Sequence, residues 1–403
     1  MHHLIQRTAH TLALLGALAA LPAHAHDTLK LDAPKPNLAP TPPMGWSSWN
    51  KYGCNVNEKM IRDQADAMAA SGMKDAGYQY INVDDCWQAK SRDADGNIQA
   101  DPEHFPSGIK ALADYVHSKG LKFGLYSDAG SLTCWGRPGS AGREFQDALQ
   151  YAKWGVDYFK YDWCYTGTRN AEAAYTIMAK ALRETGRDIV FSLCDWGGSK
   201  PGRWAKPVGH LWRTTGDIYD AWEGKKGWSH GMTNILDMNA ELSGESGPNG
   251  WNDPDMLEVG NGGMTTTEYE SHFSLWAMLA APLIAGNDLS KMDADTLRIL
   301  TNKDVIAVDQ DPLGKQGQRA LREGDLEVWV RPLQGGEHAV VLLNRGKTPA
   351  NMNVAWDLLQ LPNDQKADVK DLWSKKVTKN VSGSYGAKVA PHGVVMVRIK
   401  ATP

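Results

Sequence analysis

Cationic excess is missing from this chain. Its 403 residues carry 43 Lys and Arg against 47 Asp and Glu, so no basic surface points to nucleic acid or to an anionic membrane. Long apolar runs are missing too: beyond the N-terminal region nothing approaches the ~18 uncharged apolar residues of a membrane span. Phenylalanine is scarce, with six residues, and the five cysteines (Cys54, Cys86, Cys134, Cys164 and Cys194) are odd in number. At least one thiol is therefore unpaired in any monomer. Of the seven histidines beyond residue 26 (104, 117, 210, 230, 272, 338 and 392), none has another four positions along. That disfavours a His-rich metal site, and no metal or other cofactor is expected. No Gly-rich phosphate loop follows the first strand-like run, which argues against a dinucleotide-binding sheet.

What is present is tryptophan and glycine, 16 and 40 residues, with 42% hydrophobic and 22% charged residues overall. This composition excludes disorder. The indole rings suit either core packing or the apolar faces of sugars. Residues 1–25 hold Arg7, an apolar run from Leu12 to Leu21, and Ala23-His24-Ala25. This pattern reads as a signal peptide cleaved after Ala25, placing the mature protein in the periplasm or medium. Five prolines (34, 36, 40, 42 and 43) make residues 26–43 an extended lead-in.

From Met44 to Asp311 short β-prone runs alternate with helical patterns. The runs are Met44–Trp49, Tyr80–Asp84, Lys122–Ser127, Tyr158–Asp162, Ile189–Cys194, Leu211–Thr214, Trp251–Asp253 and Pro282–Ala285. Between them Ile61, Ala65, Met68 and Gly72 share one helical face, as do Ile109, Leu112, Ala113 and Val116. Further helices fit 141–154, 170–185, 230–242 and 267–281. Eight strand-then-helix units predict an α/β fold, a closed (β/α)8 barrel over 44–311, with an open doubly wound sheet as the alternative. After Pro312-Leu313-Gly314 the period changes to two: Leu326, Val328 and Val330 alternate with Glu327, Trp329 and Arg331. His338–Asn344, Val354–Trp356, Val369–Trp373 and Val394–Ile399 continue as short strands, so 312–403 reads as an antiparallel β-sandwich.

Barrel sites lie at the C-terminal ends of the strands. The polar residues there are Trp49, Asp84, Asp85, Tyr126, Asp128, Lys160, Asp162, Asp195, Arg213, Asp217, Asp253 and Asp255. Carboxylates dominate, as glycoside hydrolysis requires, with one carboxylate as nucleophile and one as acid. Lys160 and Asp162 lie two apart on one strand and face the same side, so the ammonium is expected to lower the Asp162 pKa. A Schiff base on Lys160 is the competing chemistry, disfavoured because a neighbouring aspartate keeps that amine protonated. Asp93-Ala94-Asp95-Gly96-Asn97 resembles half a calcium loop, but its glycine is misplaced and it reads as a turn. Asp128 fits a helix N-cap as well as a site role, and Asp253 fits a turn cap. Trp46, Trp87, Trp154 and Trp276 read as core, as do Val340, Val341 and Leu342.

Six segments occur together in order: Met44-Gly45-Trp46-Ser47-Ser48-Trp49-Asn50, Asp84-Asp85-Cys86-Trp87, Gly124-Leu125-Tyr126-Ser127-Asp128, Lys160-Tyr161-Asp162-Trp163-Cys164, Arg213 with Asp217, and Trp251-Asn252-Asp253-Pro254-Asp255. The set resembles the α-galactosidases (melibiases) of glycoside hydrolase family 27 over residues 37–403. That resemblance implies a retaining exo-glycosidase acting on α-galactosides, with Asp162 as nucleophile and Asp217 as acid/base. It implies sugar contacts from Trp49, Asp84, Asp85, Tyr126, Lys160, Asp195, Arg213 and Asp255. It also implies the bridges Cys54–Cys86 and Cys134–Cys164, leaving Cys194 free. Two departures concern the substrate pocket: Cys194-Asp195-Trp196 stands where the family pattern has glutamate, and Trp163 follows Asp162. α-N-acetylgalactosaminidase and β-L-arabinopyranosidase are the competing activities, and a non-catalytic galactose-binding protein is the competing class.

Overall fold

The computed structural model describes residue 31 and residues 35–402. The expected signal peptide and the start of the lead-in lie outside the described residues. Eight parallel strands form one sheet: β1 (Met44–Ser47), β2 (Tyr80–Val83), β3 (Lys122–Asp128), β4 (Tyr158–Asp162), β5 (Val190–Cys194), β6 (Leu211–Arg213), β7 (Trp251–Asp253) and β8 (Leu283–Ala285). Strands β1 to β7 pair in sequence order, and β8 returns to β1, with Met44 opposite Leu283. Leu257, four residues past β7, closes the ring. Its N–H donates to Ile284 (2.8 Å) and its carbonyl accepts from Gly286 (3.0 Å). The result is the expected (β/α)8 barrel.

The helices follow the sequence pattern. Helix α1 (Glu58–Ala70) starts where the Asn57 side chain accepts from the Met60 N–H, and it buries Ile61, Ala65 and Met68 against the sheet. Gly72 lies beyond its end at φ 90°, not on its face. Next come α2 (Gly108–Ser118), α3 (Glu144–Trp154), α4 (Ala171–Glu184), α5 (Met232–Asn239), α6 (Thr266–Met278), α7 (Ala294–Leu300) and α8 (Lys303–Asp309). One expected unit is incomplete: β5 and β6 are joined only by a 3-10 turn at Pro201–Arg203. Gly197, Gly198, Pro201 and Gly202 crowd this segment and break helical propagation.

Inside the barrel the packing is tight enough to specify residues. A side chain at Gly124 would put its Cβ 1.8 Å from the Asn82 amide oxygen, so only glycine lets Asn82 cross the interior. At the N-terminal end Tyr80, Tyr158, Val190, Leu211 and Trp251 form an apolar floor with Ala39. The lead-in seals that floor: Lys35 Nζ donates to the carbonyls of Gly209 and Asn249, and the Trp251 indole donates to the Ala39 carbonyl (2.9 Å).

The tail forms a six-stranded antiparallel sheet of β9 (Gln318–Glu323), β10 (Leu326–Pro332), β11 (His338–Asn344), β13 (Ala367–Asp371), β14 (Val377–Val381) and β16 (Val394–Ala401). Against it lies a pair, β12 (Ala350–Ala355) and β15 (Ser384–Val389). Val328, Val340, Leu342, Val397 and Ile399 pack into the sandwich core. Trp329, Ala339, Val341, Leu343 and Met396 belong instead to the barrel's core. Alternate residues of one sheet thus serve two cores. The polar phase of β10 faces the barrel rather than water: Arg331 is fully buried and donates to the carbonyls of Ala277 and Asp309.

Candidate active site

The strand ends converge on one concave mouth. Alternation along β4 turns Tyr158, Lys160 and Asp162 inward, from floor to rim, and the parallel register sets Asp128, Asp162 and Cys194 side by side. Asp84 continues the inward phase of β2. Its Oδ2 accepts from Lys160 Nζ (2.9 Å) and its Oδ1 from the Asp85 N–H (2.9 Å). This corrects the expectation that Lys160 pairs with Asp162. The ammonium reaches across the barrel to a strand 76 residues away in sequence. Burial opposes the Lys160 charge more than any single neighbour favours it, yet Asp84, Cys194 and Asp162 together outweigh it and hold the group protonated well above its ordinary range.

Asp162 is buried. Its Oδ1 accepts from the Trp163 N–H (2.9 Å) and its Oδ2 from the Tyr126 hydroxyl (3.1 Å). Burial pushes its pKa up to about 6, with Lys160 pulling the other way and Asp217 and Asp84 adding to the rise. The direction is therefore opposite to that expected from Lys160 alone, because desolvation is the larger effect. Asp85 also rises to about 6 through burial and the neighbouring Asp84, against hydrogen bonds from Thr133, Cys86 and Trp135.

Across the mouth Arg213 bridges two carboxylates, with Nη2 at 2.9 Å from Asp217 Oδ1 and 3.0 Å from Asp255 Oδ2. Asp255 is buried and its pKa rises to about 6, by burial first, with Arg213 opposing. Its backbone sits at φ 84°, in the left-handed region that favours glycine. The Trp276 indole holds it there by donating to its carbonyl (2.8 Å). Strain of this kind persists only where the surroundings over-determine the conformation. Asp217 differs: its side chain is 40% exposed, and it lies on a long connection after β6.

Beside Trp49 and Asp217 opens a cavity of about 580 Å³, lined also by Asn50, Tyr219, Asp220, Ser229, Glu258 and Asn261. Burial raises the Glu258 carboxyl to about 8, although Asn50 and Asn261 donate to it.

Trp49, Asp84, Asp85, Tyr126, Lys160, Asp162, Arg213, Asp217 and Asp255 are thus brought around one mouth. Asp195 is turned into its own loop, its two oxygens accepting from the N–H groups of Gly197 (3.1 Å) and Ser199 (2.8 Å). Asp128 is neither helix cap nor exposed site residue. Buried, it accepts from the N–H groups of Gly130 (2.7 Å) and Cys164 (2.9 Å) and so ties two strand-end loops together. Asp253 caps its turn by accepting from the Asp255 N–H (2.9 Å). Trp163 stacks on Tyr175, with centroids 5.4 Å apart.

The bridges Cys54–Cys86 and Cys134–Cys164 are both formed, and Cys194 is free and buried. The second anchors a residue missed from sequence, Trp135. It is 61% exposed, sets its ring 6.0 Å from Trp49 and donates its N–H to Asp85 (3.1 Å). Its only signal was adjacency to Cys134. Asp128, Cys134 and Cys164 cluster like metal ligands, but a disulfide sulfur is not a thiolate and does not ligate as one.

A barrel whose mouth is built from paired carboxylates, each assigned a distinct environment, is that of a glycoside hydrolase. A family model described as Alpha galactosidase A matches residues 41–311. A second, its C-terminal beta sandwich domain, matches 323–399. The chain belongs to this family. It is 52% identical to Alpha-galactosidase A of Cellvibrio japonicus over 90% of this chain and 92% of that protein. Alpha-galactosidase I of Mortierella vinacea superposes with TM-score 0.87 at 41% identity, covering 90% of this chain and 97% of that one. A chicken Alpha-N-acetylgalactosaminidase is more distant, 40% identical over 89% of this chain and 93% of its own length.

Proposed function

We propose that this chain is an exported, retaining exo-α-galactosidase. Asp162 attacks the anomeric carbon as the glycosidic C–O bond breaks, and Asp217 gives its proton to the departing oxygen. Asp217 then takes a proton from water, which releases galactose from the β-linked ester in the α configuration. The supporting observation is the asymmetry of the two carboxylates. Asp162 is buried and oriented by Trp163 and Tyr126, whereas Asp217 is 40% exposed on the wall of the cavity.

Around them Trp49 covers the sugar's apolar face, and Asp84, Asp85, Tyr126, Lys160, Arg213 and Asp255 bind its hydroxyls. Asp195 acts on the 2-hydroxyl side by holding the loop 196–199 rather than by a free carboxylate. Galactose is set ahead of its N-acetylated counterpart by the relatives, 52% identity to an α-galactosidase against 40% to an α-N-acetylgalactosaminidase. The barrel spans 44–311 and the sandwich 312–403, and export removes residues 1–25.

Three measurements test this reading. Hydrolysis rates of aryl α-galactoside, α-N-acetylgalactosaminide and β-L-arabinopyranoside should rank the galactoside first. NMR in the first minutes of reaction should show α-galactose; initial β-galactose means inversion and removes Asp162 as nucleophile. N-terminal sequencing of secreted material should begin at His26.

A further inference from the structure

Asp217 sits on an 18-residue connection, 214–231, between β6 and α5. Little regular structure supports it: a two-residue hairpin at 225–226 and 229–230, and one bridge from Ile218 to His230. Its inner half is held at the mouth, where Arg213 donates to Asp217 and the Ile218 N–H donates to Asp255 (2.8 Å). The outer half is held elsewhere. Asp220 accepts from the Tyr269 hydroxyl (2.9 Å) and the Gly263 N–H. Trp222, only 8% exposed, lies flat on the imidazole of His392, with centroids 4.7 Å apart and planes 7° from parallel.

His392 belongs to the sandwich, in the turn between β15 and β16. Yet its ring and carbonyl are engaged by the barrel. Nδ1 lies 2.7 Å from Glu268 Oε1, and its carbonyl accepts from the Ser271 hydroxyl (2.8 Å). Glu268 is itself fixed, because its other oxygen completes the capping box of α6 with Thr265. The His392 backbone sits at φ 53°, where glycine is favoured, although the glycine of this turn stands next to it at 393. The turn retains an imidazole where the backbone alone favours none.

We infer that the sandwich domain positions the acid/base carboxylate, through the stacking of His392 on Trp222. This rests on the reading of Asp217 as acid/base. A loop-borne acid needs its outer support, since proton transfer falls steeply with misplacement. His392 touches no reacting atom and is a positioning residue.

His392→Gly is the direct test, because glycine accepts the turn's backbone while removing the ring. For melibiose, whose leaving group needs a proton, kcat/KM should fall about tenfold, and for a dinitrophenyl α-galactoside, which needs none, by less than about twofold. His392→Phe, which retains a flat ring, should restore most of the loss. If the glycine variant does not fold, Trp222→Leu should show the same leaving-group dependence with the sandwich intact. Asp217→Ala is the reference and should show the steepest dependence. A steep Asp217→Ala series with equal or no loss in His392→Gly overturns this inference alone. A flat Asp217→Ala series overturns the acid/base reading and the inference with it.

Discussion

The two ends of the same eight strands are built from opposite chemistry. At the floor, Tyr80, Tyr158, Leu211 and Trp251 form an apolar layer with Ala39, and Lys35 of the lead-in pairs there with backbone carbonyls rather than with a carboxylate. Two to four residues further along the same strands stand Asp84, Asp162 and Arg213, buried and ionisable. Both ends are equally out of water, so burial is not what separates them. The floor gains from desolvation. The mouth is penalised by it, as the raised pKa values of Asp85, Asp162 and Asp255 record. Stability is concentrated at one end and reactivity at the other.

That contrast is broken most severely by Asp162→Asn. Loss of the nucleophile should lower kcat about 10⁴-fold or more. The same variant should be more stable at neutral pH. In the folded chain Asp162 titrates near about 6, against 3.8 ordinarily. It therefore costs nothing below pH 4, and stability declines as pH rises through about 6. Thermal melts should show Asp162→Asn above the parent at pH 7.5 and level with it at pH 4. A Tm gain at both values would mean that packing, not charge, is responsible.

The converse is Leu211→Ala at the floor, two residues before Arg213. A fully buried leucine leaves a cavity, so unfolding should become easier by about 3 kcal/mol while kcat/KM stays near the parent value. A large kinetic loss would mean that floor and mouth are not independent.

Lys160→Met sharpens the account of charge. It removes the cation from both Asp84 and Asp162 while retaining much of the stem's volume. kcat/KM should fall about 100-fold. The nucleophile must be ionised, so activity rises with pH as Asp162 loses its proton, and without Lys160 that rise should move to higher pH. A limb that stays in place would assign it to another group, Asp85 or Asp255.

The smallest effect is expected at Asp195, whose oxygens are already committed to Gly197 and Ser199. Asp195→Ala removes this cap, worth about 1 kcal/mol, and should lower kcat/KM by at most about tenfold. A loss as large as that of Lys160→Met would make it a direct sugar contact.

How much of this was legible without coordinates depends on whether a feature repeats locally. Strand-end carboxylates at 84, 162 and 255 were legible because a two-residue period and the polarity of the barrel together assign them a face and an end. Strands β9 and β14 were not, because they lie largely exposed and carry no apolar alternation. The alternation of β10 reads correctly as a strand, but a period of two does not say what the polar phase faces, and Arg331 is buried against the barrel. Trp135 was missed because nothing in a loop's spacing tells which way a ring points.

The sequence by itself determined the order of elements, the barrel, the change of period into the sandwich, and which residue types gather at the mouth. These follow from hydrophobic period and turn chemistry, which act over a few residues. Only the tertiary structure decided who pairs with whom: Lys160 with Asp84 rather than Asp162, Arg213 with Asp217 and Asp255, His392 with Trp222 across the two domains. It also decided the direction of the Asp162 shift. Charge partners and desolvation are set by distances and by the exclusion of water, and neither exists until distant segments close on one another.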